Sequence, residues 1–250
     1  MPSSKGPLSV VIPARNEQDY LPRLLRSLVS DAANTPLVVE IVVVDDGSTD
    51  ATSEIAQGVQ DSRVRVVETG GVGVSRARNA GAIATTSPVI AFVDADVVLP
   101  SGSVSQAFAH MRANSLSVAT TRFRDDGLAG IWRHGYGALN VFFEAFERTA
   151  NPACSGFFML CSRDAFESVG GFSPDLTYGE DHDLVRRAVA LGHRFGICRE
   201  AHVEVSARRF RGDTPALIAM RPYVVEELER IWRFTVVPAC HRLRRKLICR

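Results

Sequence analysis

Two aspartates one residue apart, Asp94 and Asp96, directly follow the apolar run Val89–Val93. Carboxylates are hard oxygen donors suited to Mg²⁺ or Mn²⁺, and such ions in turn hold a diphosphate. If the segment is extended, side-chain alternation puts Asp94 and Asp96 on one side. Asp45-Asp46-Gly47-Ser48 closes a second apolar run, Val38–Val44, and Arg15-Asn16-Glu17 follows a third, Leu8–Ile12. Taken singly, each cluster is also what an ordinary solvated turn contains, because Asp and Gly favour turns.

The elements that must position these residues alternate. Leu8–Ile12, Val38–Val44, Val64–Glu68 and Val89–Val93 read as buried strands. Between them, Glu17–Ser30 places Leu21, Leu24, Leu25 and Leu28 at helical spacing. A helix is expected over Asp50–Gln57, capped by Thr49 or Asp50, and another over Ser75–Thr85. Strand–helix alternation of this kind implies an α/β fold with a mostly parallel sheet flanked by helices. Ligands of such sheets bind at the carboxyl ends of the strands, where all three polar clusters sit. Farther along, helices are expected over Ser103–Arg112, Arg163–Gly170 and Asp181–Leu191, and strands over Ser117–Arg122 and Phe157–Ser162. The Gly- and aromatic-rich stretch Gly127–Ala150 resists assignment; its rings form either core or an acceptor platform, with core favoured.

Bulk properties narrow the classes. The chain has 250 residues and a net charge of +1, so it is not built for bulk capture of nucleic acid. Five cysteines, Cys154, Cys161, Cys198, Cys240 and Cys249, form no CxxC pair. A disulfide framework is therefore not expected, and a reducing, cytoplasmic setting fits. The first apolar run is too short for a signal peptide, and no stretch reaches the roughly 18 apolar residues needed to cross a bilayer. The tail Arg242–Arg250 is basic and carries Leu243, Leu247 and Ile248. It is a candidate for peripheral contact with the inner membrane face, against a solvated terminal helix.

The order of the motifs carries more than any one of them. SVVIPARNE is followed by VVVDDGSTD, GVGVSRARNAG, AFVDADVVLP, SGFFMLCSRDAFESVGGFSP and YGEDHDL. The series resembles the family-two glycosyltransferases of the GT-A fold, over roughly residues 8–210. The resemblance implies one catalytic domain over 1–210, with a nucleotide-binding half to about residue 99 and an acceptor half after it. A helical, basic tail over 211–250 would follow. It implies an inverting, metal-dependent transfer from a nucleoside-diphosphate sugar, UDP in first place, to a hydroxyl of a glycan, a lipid-linked acceptor or a small molecule, with Mn²⁺ or Mg²⁺ as cofactor.

By the same resemblance, Pro13, Ala14, Arg15 and Glu17 line the nucleoside. Asp46 accepts a hydrogen bond from the base, and Gly73 and Arg78 lie near ribose and diphosphate. Asp96 binds the metal, while Asp94, with Ala95 beside it, is its partner nearer the ribose. Asp181 is the catalytic base that takes the acceptor's proton, although an aspartate at a helix start also caps. Asp45 orients its turn. His202, Arg208 and Arg209 are candidate metal or phosphate contacts, weighed against a packed histidine and a solvated basic loop.

Two rivals stand beside this reading. A sugar nucleotidyltransferase would also use a doubly wound sheet and an Asp-bound metal, but would open on a Gly-rich basic loop where this chain has Pro13-Ala14-Arg15-Asn16-Glu17. A non-catalytic nucleotide-sugar binding module would have no need of Asp96 and Asp181.

Overall fold

The structure, a computed structural model, describes residues 6–34, 37–125, 131–149, 151–176 and 179–206. The chain runs β1 (Leu8–Ala14), α1 (Leu21–Asn34), β2 (Val38–Asp45), α2 (Thr52–Gln57), β3 (Val64–Glu68), α3 (Val74–Ile83) and β4 (Val89–Val93). It continues through β5 (Val97–Val98), α4 (Ser103–Ala113), β6 (Val118–Asp125), α5 (Ile131–Phe146), β7 (Phe158–Ser162), α6 (Arg163–Ser168), α7 (Glu180–Ala190) and β8 (Phe195–Val205). The strands form one sheet in the order β3-β2-β1-β4-β7-β6-β8-β5. β3, β2, β1 and β4 are mutually parallel. β7 runs antiparallel to β4 and to β6, β8 runs parallel to β6, and β5 is antiparallel to β8. The expected α/β fold with a mostly parallel sheet is therefore the one observed.

Burial explains which runs became strands. All five residues of β4 are buried, as a strand covered on both faces requires. In α1, Leu21, Leu24, Leu25 and Leu28 are all buried, so the i, i+3, i+4, i+7 stripe faces the sheet. The helix starts at Leu21 rather than Glu17, because the Glu17 carbonyl accepts the first turn's bonds from the N–H groups of Tyr20 and Leu21. Pro13 stands in β1 beyond Val11, where pairing with β4 ends. There a missing N–H breaks no ladder bond to that neighbour.

Two sequence expectations need correction, and two stretches left open are filled in. Asp94-Ala95-Asp96 is not extended: the Val97 N–H donates to the Asp94 carbonyl at 3.4 Å, closing a turn. The turn, rather than strand alternation, sets where the two carboxylates lie. The residue capping α2 is Ala51, with no side-chain bond; Asp50 acts one step earlier, accepting from the backbone N–H of Thr52 at 3.0 Å. Gly127–Ala150 contains α5, whose Tyr136 and Phe143 are buried against Phe123 of β6, so the core reading holds for those rings. β8 had no counterpart among the expected strands. The tail and the Arg208 and Arg209 assignments lie outside the described residues, and no described helix is long and apolar enough to cross a membrane.

Gly81 shows how tightly α3 seats on the sheet. A Cβ there would lie 2.3 Å from Val11 Cγ1 and 2.9 Å from Val44 Cγ2. Both partners are β-branched and stiff at χ1, so neither can step aside cheaply. Helix propensity alone would make Gly81→Ala stabilising by about 1 kcal/mol. Overpacking should reverse that sign, giving a net loss of about 1–3 kcal/mol, read as a lower denaturation midpoint at unchanged m-value.

Candidate active site at the carboxyl edge of the sheet

β2, β1 and β4 are neighbours and parallel, so their carboxyl ends share one edge. The loops leaving β1 and β2 are stitched to each other. Ser48 Oγ accepts from the Asn16 N–H at 3.0 Å, and Asn16 Oδ1 accepts from the Thr49 N–H at 2.8 Å. Thr52 Oγ1 accepts from the Glu17 N–H at 2.8 Å. Asn16 holds φ at 56°, a left-handed conformation that Asn tolerates better than most residues. Asp45 orients its turn by accepting from the Ser48 N–H at 3.0 Å.

Asp46 organises the next loop. It accepts from Thr69 Oγ1 at 2.8 Å and from the backbone N–H groups of Val72 and Gly73 at 2.7 and 2.8 Å. Burial pushes its carboxyl up, but the hydrogen bonds from Thr69, Gly73, Val72 and Gly71 outweigh it and hold the group below the ordinary 3.8. Arg15, exposed at the end of β1, reaches toward the same loop: its Nη1 lies 4.0 Å from where a Cβ on Gly71 would stand.

Arg78 joins that loop's helix to the rest of the site. It is 3% exposed. One guanidinium nitrogen donates to Asp94 Oδ1 at 2.7 Å and another to Glu180 Oε1 at 2.6 Å. Its Cζ sits 5.2 Å from the centroid of Phe172, within cation–π range. Burial works against the charge, but Asp94, Glu180 and Asp181 together hold Arg78 firmly protonated. Burial also pushes the Glu180 carboxyl up; Arg78 draws it down and Asp181 pushes it up again, leaving it raised. The guanidinium is thus committed to two carboxylates, and Arg78 acts on the crevice by placing them.

Asp181, in the first turn of α7, is 3% exposed. The cap of α7 is Gly179, so Asp181 is not the capping residue. Its Oδ1 accepts from the His182 N–H at 2.9 Å. Its Oδ2 lies 2.4 Å from where a Cβ on Gly156 would stand, so only glycine admits the carboxylate there. Asp96 is also buried, and its carbonyl accepts from the Ser206 N–H at 3.0 Å, tying the β4–β5 turn to the end of β8.

Arg78 therefore brings Asp94, Glu180 and Asp181 together. β1, β2 and their loops bring Pro13, Ala14, Arg15, Glu17 and Asp46 to the same sheet edge, and Asp46 ties in Gly73 from the loop between β3 and α3. His202 stands apart on β8, three residues before Val205, the partner of Val97. At strand rise that is about 10 Å along the strand. Burial lowers its pKa, Arg124 adds to this, and Glu204 opposes it. Three contributors were not singled out as site residues from the sequence: Glu180, Gly156 and Phe172. Glu180 was legible as one of two adjacent acids at a helix start. Gly156 and Phe172 act through close approach and stacking, which no local pattern reports.

The donor set at the end of β4 is oxygen only, which suits Mg²⁺ or Mn²⁺ better than a sulfur-seeking ion. Among the described residues, two compact groups could offer three ligand atoms within 4.8 Å of one another: Cys154, Asp181 and His182, and His110, Cys198 and Glu200.

Comparison with solved structures places this architecture among GT-A glycosyltransferases. A mannosyltransferase, PcManGT from Pyrobaculum calidifontis, in complex with GDP-Man and Mn²⁺, matches with a TM-score of 0.69 at 20% identity over 90% of this chain and 66% of that one. S. aureus TarS residues 1–349 in complex with UDP matches with a TM-score of 0.66 at 20% identity, over 92% of this chain and 72% of that one. The family model for glycosyl transferase family 2 matches residues 9–170, more than half of the chain, and the chain belongs to that family. Among curated relatives, the succinoglycan biosynthesis protein ExoU of Rhizobium meliloti is 29% identical over 207 residues, covering 75% of this chain and 58% of that protein. The pre-mycofactocin glycosyltransferase of Mycobacterium tuberculosis is 27% identical over 237 residues, covering 86% and 48%. This chain thus spans little more than half the length of the first relative and less than half of the second.

Two outcomes test the site's construction. Arg78→Ala strands Asp94 and Glu180 without their cation and should cost about 3–5 kcal/mol. Arg78→Lys, with one ammonium in place of a two-pronged fork, should recover only part of it in the same unfolding assay. Asp46→Asn tests the loop anchor through pH. A depressed folded-state pKa contributes stability that is present above 3.8 and lost as pH falls through the folded value. The wild-type advantage over Asp46→Asn should therefore be flat above about pH 5 and shrink below the ordinary carboxylate value.

Proposed function

We propose that this chain is an inverting glycosyltransferase that moves a sugar from a nucleoside-diphosphate sugar, UDP in first place, to a hydroxyl acceptor. The observation that carries the reading is the Arg78 bridge, which fixes Glu180, next to the base candidate Asp181, to Asp94 at the end of β4. Donor site and base are thereby parts of one rigid constellation. The bound ligands of the structural neighbours, GDP-Man with Mn²⁺ in one and UDP in the other, support the donor class.

The roles divide as follows. Pro13, Ala14, Arg15 and Glu17 line the nucleoside. Asp46 holds the loop containing Gly73, and any bond it makes to a base N–H must share its oxygens with Thr69, Val72 and Gly73. Asp96, with Asp94 and Ala95 in the same turn, would hold the divalent cation. When bound, Mn²⁺ or Mg²⁺ would offset the charge of the departing diphosphate. Asp181 accepts the proton of the acceptor hydroxyl as its oxygen attacks the anomeric carbon. Attack from the face opposite the diphosphate inverts that centre. Gly156 keeps the space into which the Asp181 carboxylate fits.

The test has two arms. Thermal shifts with UDP, GDP, dTDP and CDP, each with and without Mn²⁺, should show stabilisation by one diphosphate that needs metal and vanishes in Asp96→Asn. In transfer assays, Asp181→Asn should lower kcat by about 10²–10⁴ while donor stabilisation persists. Transfer at wild-type rate in Asp181→Asn would remove the base assignment.

A further inference from the structure

Remote from the crevice, α4 and β8 bring together a thiol, an imidazole and a carboxylate that the proposed reaction does not use. Cys198 and Glu200 are two residues apart on β8 at the irregularity between the Thr121–Cys198 and Arg122–His202 pairs, where the chain brings the two side chains into contact. His110 comes from the last turn of α4. Cys198 Sγ donates to Glu200 Oε2 at 3.4 Å, and His110 Nδ1 lies 3.4 Å from the same oxygen. All three ligand atoms lie within 4.8 Å of one another.

These separations have a meaning. In a tetrahedral zinc site with Zn–S of about 2.3 Å and Zn–N and Zn–O of about 2.0–2.2 Å, neighbouring ligand atoms stand about 3.3–3.6 Å apart. Two of the three edges already have that length. The thiol and imidazole reach one carboxylate oxygen from two sides, as hydrogen-bonded ligands do when protons hold the place of an ion. Charge also fits: thiolate and carboxylate neutralise a dication, and the imidazole adds none. The side chain of Glu200 is 70% exposed, which opens an entry path, while that of His110 is 21% exposed and Cys198 is buried.

We propose that His110, Cys198 and Glu200 form a Zn²⁺ site with water as fourth ligand. It is separate from the oxygen-only set at Asp94 and Asp96: Cys198 and Val205 pair with Thr121 and Asp125, four residues apart on β6, which is about 13 Å along the sheet. Binding replaces the Cys198 S–H by S–Zn and releases that proton to solvent. His110 coordinates through Nδ1 and carries its proton on Nε2. The ion clamps α4 to β8.

The experiment titrates the full chain, reduced and stripped of metal, with Co²⁺ and then Zn²⁺. One Co²⁺ per chain should give sulfur-to-metal charge-transfer absorption, and Zn²⁺ should abolish it. Cobalt held by carboxylates alone gives no such band, so the Asp96 site does not interfere. The band should be lost in Cys198→Ser and kept in Cys154→Ser. Should Cys198→Ser fail to fold, Glu200→Gln alters an exposed side chain and should weaken Co²⁺ binding at least about tenfold. A wild-type chain without the band, a band that survives Cys198→Ser, or unchanged affinity in Glu200→Gln would each overturn the site.

Discussion

The guanidinium of Arg78 is the interaction on which the rest of the site depends. It is nearly inaccessible to water, and a buried charge is tolerated only when it is paired and hydrogen-bonded. The pairing comes from Asp94 and Glu180, at the end of a strand and the start of a helix that are far apart in the chain. One cation faces three nearby carboxylates, Asp94, Glu180 and Asp181. It cannot neutralise them all, and the site keeps an excess of negative charge. Such a field would suit the metal-holding and proton-accepting roles proposed for Asp96 and Asp181. Geometry and electrostatics are therefore set by the same residue.

Around that bridge, position is enforced by contact rather than by further charge. Phe172 stacks on the guanidinium and meets Phe92 edge-on at 4.9 Å between centroids, which connects the ion pairs to the β4 core. Gly81 lets α3, which carries Arg78, settle on β1 and β2. Asp46 does for the Gly-rich loop what Arg78 does for the acids, using hydrogen bonds to backbone N–H groups in place of ion pairs.

What could be read in the sequence was what repeats locally. β4 has the bounds expected for it, because five consecutive apolar residues between Pro88 and Asp94 leave little choice. The leucine stripe of α1 was equally clear, and so was the convergence of three polar clusters on one sheet edge. β8 was hidden because Arg199, Glu200 and Glu204 interrupt its apolar residues, and its identity rests on pairing with β6 across a register shift. α5 was obscured by Gly135, Gly137 and a crowd of aromatics, and the structure gives it a special role. The Asn140 side chain accepts from the Phe123 N–H and donates to the Phe123 carbonyl, at 3.2 and 2.8 Å, as a strand partner would. The Asp94–Asp96 turn was misread as extended because it directly continues the apolar run of β4, and nothing local reports the bond that closes it.

The sheet's two borders have a consequence for life in a crowded solution. An open β-edge presents unsatisfied N–H and C=O groups on which another chain can assemble. Among the described residues one border is β8, covered by the two-residue β5 only at Glu204 and Val205 and broken by an irregularity carrying the exposed, charged Arg199 and Glu200. At the other it is β3, where exposed Arg65 and Glu68 bring charge to the rim. A wide, strongly apolar sheet is thus finished on both sides by features that discourage fibrillar stacking, so its Val- and Ile-rich centre can stay apolar without becoming a seed for self-association.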